Sequence, residues 1–244
     1  MNKQQYSIIE KVKIIQGGNY ATVEGLSKLT LDEVKELVNI LEQVPPFHTL
    51  KSLKVLVNQT VPLEVDKYLE SKGYVLVDKF VTVYKRLELE NIDHSFVLKN
   101  VHIIPEKEFA QIWMESMSGS PNAASSLTIE EHMKGVADEL GNHYKDSCIA
   151  IYEEGQPIGV MMPHIEPGTL DEGRLFYFGL IPEERGKGKS RILHKVALNL
   201  LAGEFNANYY IGGTSLQNIP MMQTFHANAC KVKDVNRVFK KKPL

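Results

Sequence analysis

The run RLFYFGLIPEERGKGKSRILHKVALNLLAG, Arg174 to Gly203, decides how this chain is read. Its first eight residues, Arg174 to Ile181, are aromatic and β-prone, and Pro182 closes them, which predicts a strand. Ile192, Leu193, Val196, Ala197, Leu200 and Leu201 then recur on one helical face, with Ser190 placed to cap the helix and Gly203 placed to end it. Between strand and helix lies a basic glycine loop: Arg185, Gly186, Lys187, Gly188, Lys189 and Ser190. A helix N-terminus leaves backbone N–H groups unpaired and carries partial positive charge, so this arrangement suits a phosphate. A bare basic turn capping a helix is the plainer alternative.

Two familiar phosphate loops do not fit. The nucleotide-triphosphatase pattern ends in Gly-Lys-Ser, as at Gly188-Lys189-Ser190, but its first glycine falls on Glu183. A carboxylate there would repel the phosphates. The dinucleotide pattern fails at its third glycine, where bulky Arg191 stands.

Working outward, SCIAIYEEGQPIGVMMPHI predicts two strands joined by a tight turn at Glu154-Gly155-Gln156. Upstream, VHIIP (Val101 to Pro105) predicts a first strand, and two helices follow over EKEFAQIWMESM and TIEEHMKGVADEL. Thr128 and Glu131 have capping-box spacing. The small polar segment Ser118 to Ser126 joins those helices. Downstream, NYYIGGTS predicts another strand, and the lysine-rich tail alternates like an edge strand.

The first part of the chain reads as a lobe of its own: a helix capped by Thr30 and Glu33, a strand LKVLVNQ, a helix PLEVDKYLESKG and a long strand YVLVDKFVTVYKRL. Polar ELENIDHS follows as linker, so domains are expected over 1–90 and 95–244. YLESKGYVLVDKF matches TFHANACKVKDVN weakly. The lobe then reads either as a degenerate partial copy of the second domain or as a chance match of two α/β segments.

Composition excludes several classes. At 43% hydrophobic and 24% charged residues the chain is globular material, and a net charge of −2 gives no general pull toward nucleic acid or anionic membrane. No apolar run approaches the roughly 20 residues that span a bilayer, and no signal-peptide core opens the chain. A cytoplasmic location is the expectation. Cys148 and Cys230 are too few for a disulfide framework or a cysteine zinc site, and no metal is expected.

The loop RGKGKS and what surrounds it resemble the GNAT superfamily of acetyl-CoA-dependent N-acetyltransferases, whose signature is Arg/Gln-x-x-Gly-x-Gly/Ala between a strand and a helix. Ser190 replaces the final small residue. The second half of the resemblance is GGTSLQNIPMMQTFHANACKV, where Asn218 starts a helix and Phe225 follows seven residues later. It covers roughly residues 101–242. It implies an α+β mixed sheet of GNAT type preceded by the smaller α/β lobe, and acetyl transfer from acetyl-CoA to a primary amine on a small or peptide acceptor. Implied cofactor residues are Gly179, Leu180, Arg185, Gly186, Lys187, Gly188, Lys189, Ser190, Asn218 and Phe225. Asn218 is equally an ordinary N-cap before Pro220. The backbone N–H of Leu180 is the implied oxyanion donor, and Arg185 is suited to bidentate phosphate contact.

This chain departs from the family at the proton-transfer residues. Phe225 stands where many members have a Tyr that protonates the leaving thiolate. For the base, Glu172 shares strand parity with Leu180 and is the first candidate, a choice that fails across a bulge; Glu166 and His164 are alternatives. A non-catalytic acyl-CoA-binding or regulatory module is the competing reading.

Overall fold

The structure is a computed structural model and describes residues 3–16, 20–45, 47, 50–122 and 127–241. They form two compact units. The first comprises 1–81 with 234–244, the second 82–233. The division falls before the expected boundary near residue 90, and the C-terminal residues belong with the first unit rather than with 95–233.

The first unit begins with α1 (Lys3–Ile9), β1 (Lys13–Gln16) and β2 (Tyr20–Glu24). Then come α2 (Leu31–Gln43), β3 (Ser52–Asn58), α3 (Leu63–Ser71) and β4 (Tyr74–Arg86), whose last residues enter the second unit. The capping box is present: Thr30 Oγ1 accepts from the Glu33 N–H, and Glu33 accepts from the Thr30 N–H at 2.9 Å. Such a cap is worth about 1 kcal/mol. β2 and β3 are parallel, which the helical crossover through α2 allows. Strand order here is β1-β2-β3-β10-β4, where β10 is Lys231–Lys241.

β10 (Lys231–Lys241) therefore lies inside the sheet, antiparallel to β3 with Val238 opposite Leu56. The edge expected of this lysine-rich tail is corrected. Lys241 bonds Glu42 and the Lys72 carbonyl and lies 4.9 Å from the Tyr74 ring centre, so its aliphatic stem is accommodated while its charge is paired. Phe239 and Val55 are buried in one core with Leu37, Leu41 and Leu69.

The second unit runs β5 (Val97–Asn100), α4 (Glu106–Met117), α5 (Ile129–Leu140), α6 (Tyr144–Ser147), β6 (Ile149–Glu153), β7 (Gln156–Ile165) and β8 (Glu172–Leu180). It continues through α7 (Lys189–Gly203), β9 (Tyr209–Ser215) and α8 (Ile219–Ala227). The strand expected at Val101 to Pro105 is a turn; the edge strand β5 precedes it, and Ile103 is exposed. Asn100 stops the strand by folding the chain back: its carbonyl accepts from the amides of Ile103 and Ile104. Strand order is β4-β9-β8-β7-β6-β5.

Period-two alternation builds two cores on this sheet, with one break at Ile158, where the pairing of β6 with β7 shifts register. Ala150, Tyr152, Val160 and Met162 face Phe109 and Trp113 of α4 and Val136 of α5. Ile149, Ile151, Ile158 and Met161 face Leu193 and Ala197 of α7. The turn between β6 and β7 places Glu154 at φ 50 and Gly155 at φ 80, the doubly left-handed geometry of a two-residue hairpin. No helix among the described residues is long and apolar enough to cross a membrane.

Candidate functional site

Two local features open the sheet of the second unit. The first is a bulge in β8. Met161 faces Phe178 and Pro163 faces Leu175, so three steps on β8 match two on β7. Consecutive residues Phe176 and Tyr177 consequently pack on the same face, against the α4/α5 core, while Leu175, Phe178 and Leu180 face α7. The second is a parting of β8 from β9. Their parallel register runs Glu172 to Tyr209 and Gly173 to Tyr210.

The Leu180 amide faces that parted edge. Ile181 N–H donates to the Ile158 carbonyl at 3.0 Å, so the neighbouring pair, Leu180 with Gly159, is of the non-hydrogen-bonded kind. Leu180 N–H thus turns away from β7. Gly159 is required here: a Cβ would lie at 3.0 Å from Leu180 Cα and would collide with the Gly179 carbonyl.

The loop after β8 supplies the second wall. Gly186 and Gly188 have φ of 75° and 76°, and a Cβ at either would meet open space. Their need for glycine is conformational. Gly188, not Ser190, is the N-cap of α7. Ser190 Oγ lies 3.1 Å from Thr224 Oγ1 of α8.

A cavity of about 550 Å³ lies between these elements. Gly179, Leu180, Arg185, Gly186, Gly188, Lys189, Ser190 and Asn218 all line it. Their basic side chains are already engaged. Arg185 donates to the Leu180 and Ser116 carbonyls, each at 2.9 Å, so it braces the loop instead of presenting a free fork. Lys189 is paired with Glu153 and Glu184, which hold its ammonium above its ordinary pKa. Lys187 turns to Glu184 at 3.0 Å and lies outside the cavity wall. Lys189 and then Lys187 hold Glu184 below the usual carboxylate range.

Asn218 caps α8, accepting from the Met221 N–H at 3.2 Å, and donates to Asn122 Oδ1 at 3.1 Å. The same Asn122 oxygen accepts from Thr214 Oγ1 at 3.1 Å and from the Ser215 N–H at 3.4 Å. Asn122 was not legible as a site residue. Residues 123–126 of its segment lie outside the described residues.

Besides Lys187, two expected site residues are elsewhere. Phe225 is 2% exposed and packs in the core against His194 of α7, with ring centres 5.5 Å apart. His194 also meets Phe178 and Tyr210, and burial drives its pKa down to about 3. Glu172 lies at the far end of β8, bonded to Arg174 at 2.6 Å and Tyr209 at 3.2 Å. The β8 bulge breaks its parity with Leu180, and it does not line the cavity. Glu166 and His164 lie with it, outside that cavity.

The bulge brings a different residue in. Tyr177 lines the cavity and donates its hydroxyl proton to the Ser116 carbonyl at 2.7 Å. Its ring lies so close to Gly179 that a Cβ there would sit 2.8 Å from the hydroxyl oxygen. Burial raises its pKa to about 12 despite nearby Arg185. Burial also pushes the Cys148 and Cys230 thiols up, to about 12 and about 11.

A mixed sheet with a parted parallel strand pair, a glycine loop and a following helix defines the acetyltransferase type of α/β fold. Solved structures bear this out. A GCN5-related N-acetyltransferase from Sphaerobacter thermophilus superposes with a TM-score of 0.63 at 10% identity, over 94% of this chain and 75% of that one. A tandem GNAT protein from the clavulanic acid biosynthesis pathway gives 0.57 at 11% identity, over 96% and 79%. A conserved protein of unknown function from Staphylococcus epidermidis gives 0.61 at 9% identity, over 98% and 97%. No family model and no curated protein matches the sequence. This chain has the GNAT fold, and at such identities the likeness is one of fold.

Proposed function

We propose that the second unit binds acetyl-CoA and transfers its acetyl group to a primary amine by direct attack, on a small or peptide acceptor. The observation that carries this reading is the cavity joining the Gly186–Gly188 loop to the parted edge of β8 at Leu180. Backbone amides at the start of α7 suit a pyrophosphate, and the glycine φ values keep side chains out of its way. Asn218 and Ser190 lie along the wall where the pantetheine arm would run. When bound, acetyl-CoA would supply an activated thioester. Leu180 N–H is then the donor to the oxyanion that forms as the amine attacks. Tyr177, protonated at neutral pH, takes the proton-donor role that Phe225 lacks.

The first unit serves in this proposal as a cofactor-free partial copy. It repeats strand, helix, parallel strand, helix, strand (β2-α2-β3-α3-β4 beside β8-α7-β9-α8-β10) without the basic glycine loop. A cytoplasmic setting goes with this reading.

A second reading has an observation of its own. Glu184 is the carboxylate among the described residues lining the cavity, and two lysines hold it. That favours a non-catalytic acyl-CoA-binding module. CoA release from acetyl-CoA with a panel of amines separates the two, alongside thermal shift with acetyl-CoA and with ATP. Turnover with any amine supports the enzyme. Stabilisation by acetyl-CoA without turnover supports the binding module. Stabilisation by ATP alone overturns both.

A further inference from the structure

A second cavity, of about 930 Å³, opens at the other end of β7. Glu139 near the end of α5, His164 in β7 and Glu166 just beyond β7 meet there. Among the described residues they bring one imidazole nitrogen and two carboxylate oxygens within 4.8 Å of one another. We propose that Glu139, His164 and Glu166 hold one divalent transition-metal ion.

Two observations support a cation beyond mere acidity. His164 is 4% exposed, and its Nε2 is a buried atom without a hydrogen-bond partner. Its Nδ1 lies 3.5 Å from the Met162 carbonyl, and a proton carried on Nδ1 would leave the Nε2 lone pair toward Glu166, 3.8 Å away. A backbone carbonyl behind the imidazole is the usual support of a metal-bound histidine. A mixed nitrogen and oxygen set selects Zn²⁺, Mn²⁺ or Fe²⁺ over Mg²⁺ or Ca²⁺, which prefer oxygen alone. Ligands bound at about 2.1 Å lie within about 4.2 Å of one another. Glu139, only half-buried, has room to close the remaining gap.

The ion would tie the end of α5 to the end of β7. This site does not depend on the acetyl-transfer reading.

The test uses the full chain, stripped with a chelator and titrated with Zn²⁺, Mn²⁺ and Mg²⁺ by calorimetry, with bound metal counted by elemental analysis. One equivalent of Zn²⁺ or Mn²⁺ is expected, with Mg²⁺ at least tenfold weaker. Glu139→Gln should weaken binding at least tenfold, and His164→Gln should abolish it. Metal should raise the melting temperature of the parent chain and of neither variant. If His164→Gln fails to fold, the half-exposed Glu139→Gln decides alone. His143 lies near Asp146 on the exposed rim of the cavity and offers a competing surface site. Binding that is absent, or that survives Glu139→Gln and disappears with His143→Gln, overturns the proposal.

Discussion

Gly159→Ala is the most exposed point of the reasoning about the Leu180 amide. The added methyl would meet Leu180 Cδ2 at 2.9 Å and Leu180 Cα at 3.0 Å, and would run into the Gly179 carbonyl. Two of those three neighbours are backbone, so no rotamer change relieves the clash. β7 and β8 must move apart at the residue whose N–H is assigned to the oxyanion. Overpacking of this kind costs about 1–3 kcal/mol. A misplacement approaching 1 Å at a reacting centre costs roughly 10²-fold in rate. Urea denaturation should therefore show a loss of about 1–3 kcal/mol, and CoA release should fall about 100-fold in kcat. Acetyl-CoA affinity should change less, since the loop at Gly186 and Gly188 stays where it is. Gly135→Ala is the control: it lies inside α5 with nothing within 4 Å of its Cβ, and should stabilise by about 0.5–1 kcal/mol. A Gly159→Ala protein with parental stability and parental turnover would refute both the close approach and the role of Leu180.

Tyr177→Phe should lower kcat about 10²-fold with acetyl-CoA binding nearly intact, and cost about 1 kcal/mol of stability for the lost bond to Ser116. Because burial lifts the Tyr177 pKa to about 12, its loss of a proton should not limit the parent's rate between pH 7 and about 10; an alkaline limb below that range that vanishes in the variant would count against the assignment. His194 is held neutral in the folded chain down to about pH 3, while the unfolded chain protonates it near pH 6.5. Its contribution is present above pH 6.5 and lost as pH falls toward 3, with a slope of up to about 1.4 kcal/mol per pH unit, measurable by denaturation at graded pH. Glu172→Gln should leave turnover within about threefold, because Glu172 serves Arg174 and Tyr209 outside the cavity. A 100-fold loss in a folded Glu172→Gln protein would restore it as a base.

Much of the site was legible because its signals are local. Gly186 and Gly188 announce positive φ, Thr128 with Glu131 announces a helix start, and Asn218 announces another, since each is settled within a few residues of chain. Tyr177 was not legible, because it reaches the cavity only through a bulge set by pairing with β7. The same bulge removed Glu172 by reversing its parity. Phe225 was readable as an aromatic at the right spacing, but nothing in that spacing says it will be buried against His194.

The order of elements from β6 to α8, the basic glycine loop and the amphipathic face of α7 were determined by the sequence alone, through periods and caps that act over less than about 20 residues. Ile192 shows the limit: periodicity assigned it to the buried stripe, and it is 43% exposed, while His194 is buried. The tertiary structure decided the rest. It put β10 inside the first unit's sheet beside β3, and gave residues 82–86 of β4 to the second unit. It also gathered Glu172, Glu166 and His164 away from the cavity for which they had been candidates. Strand partners are chosen by hydrogen bonds and buried area between segments far apart in the chain, and nothing in a strand's own residues records which neighbour completes it.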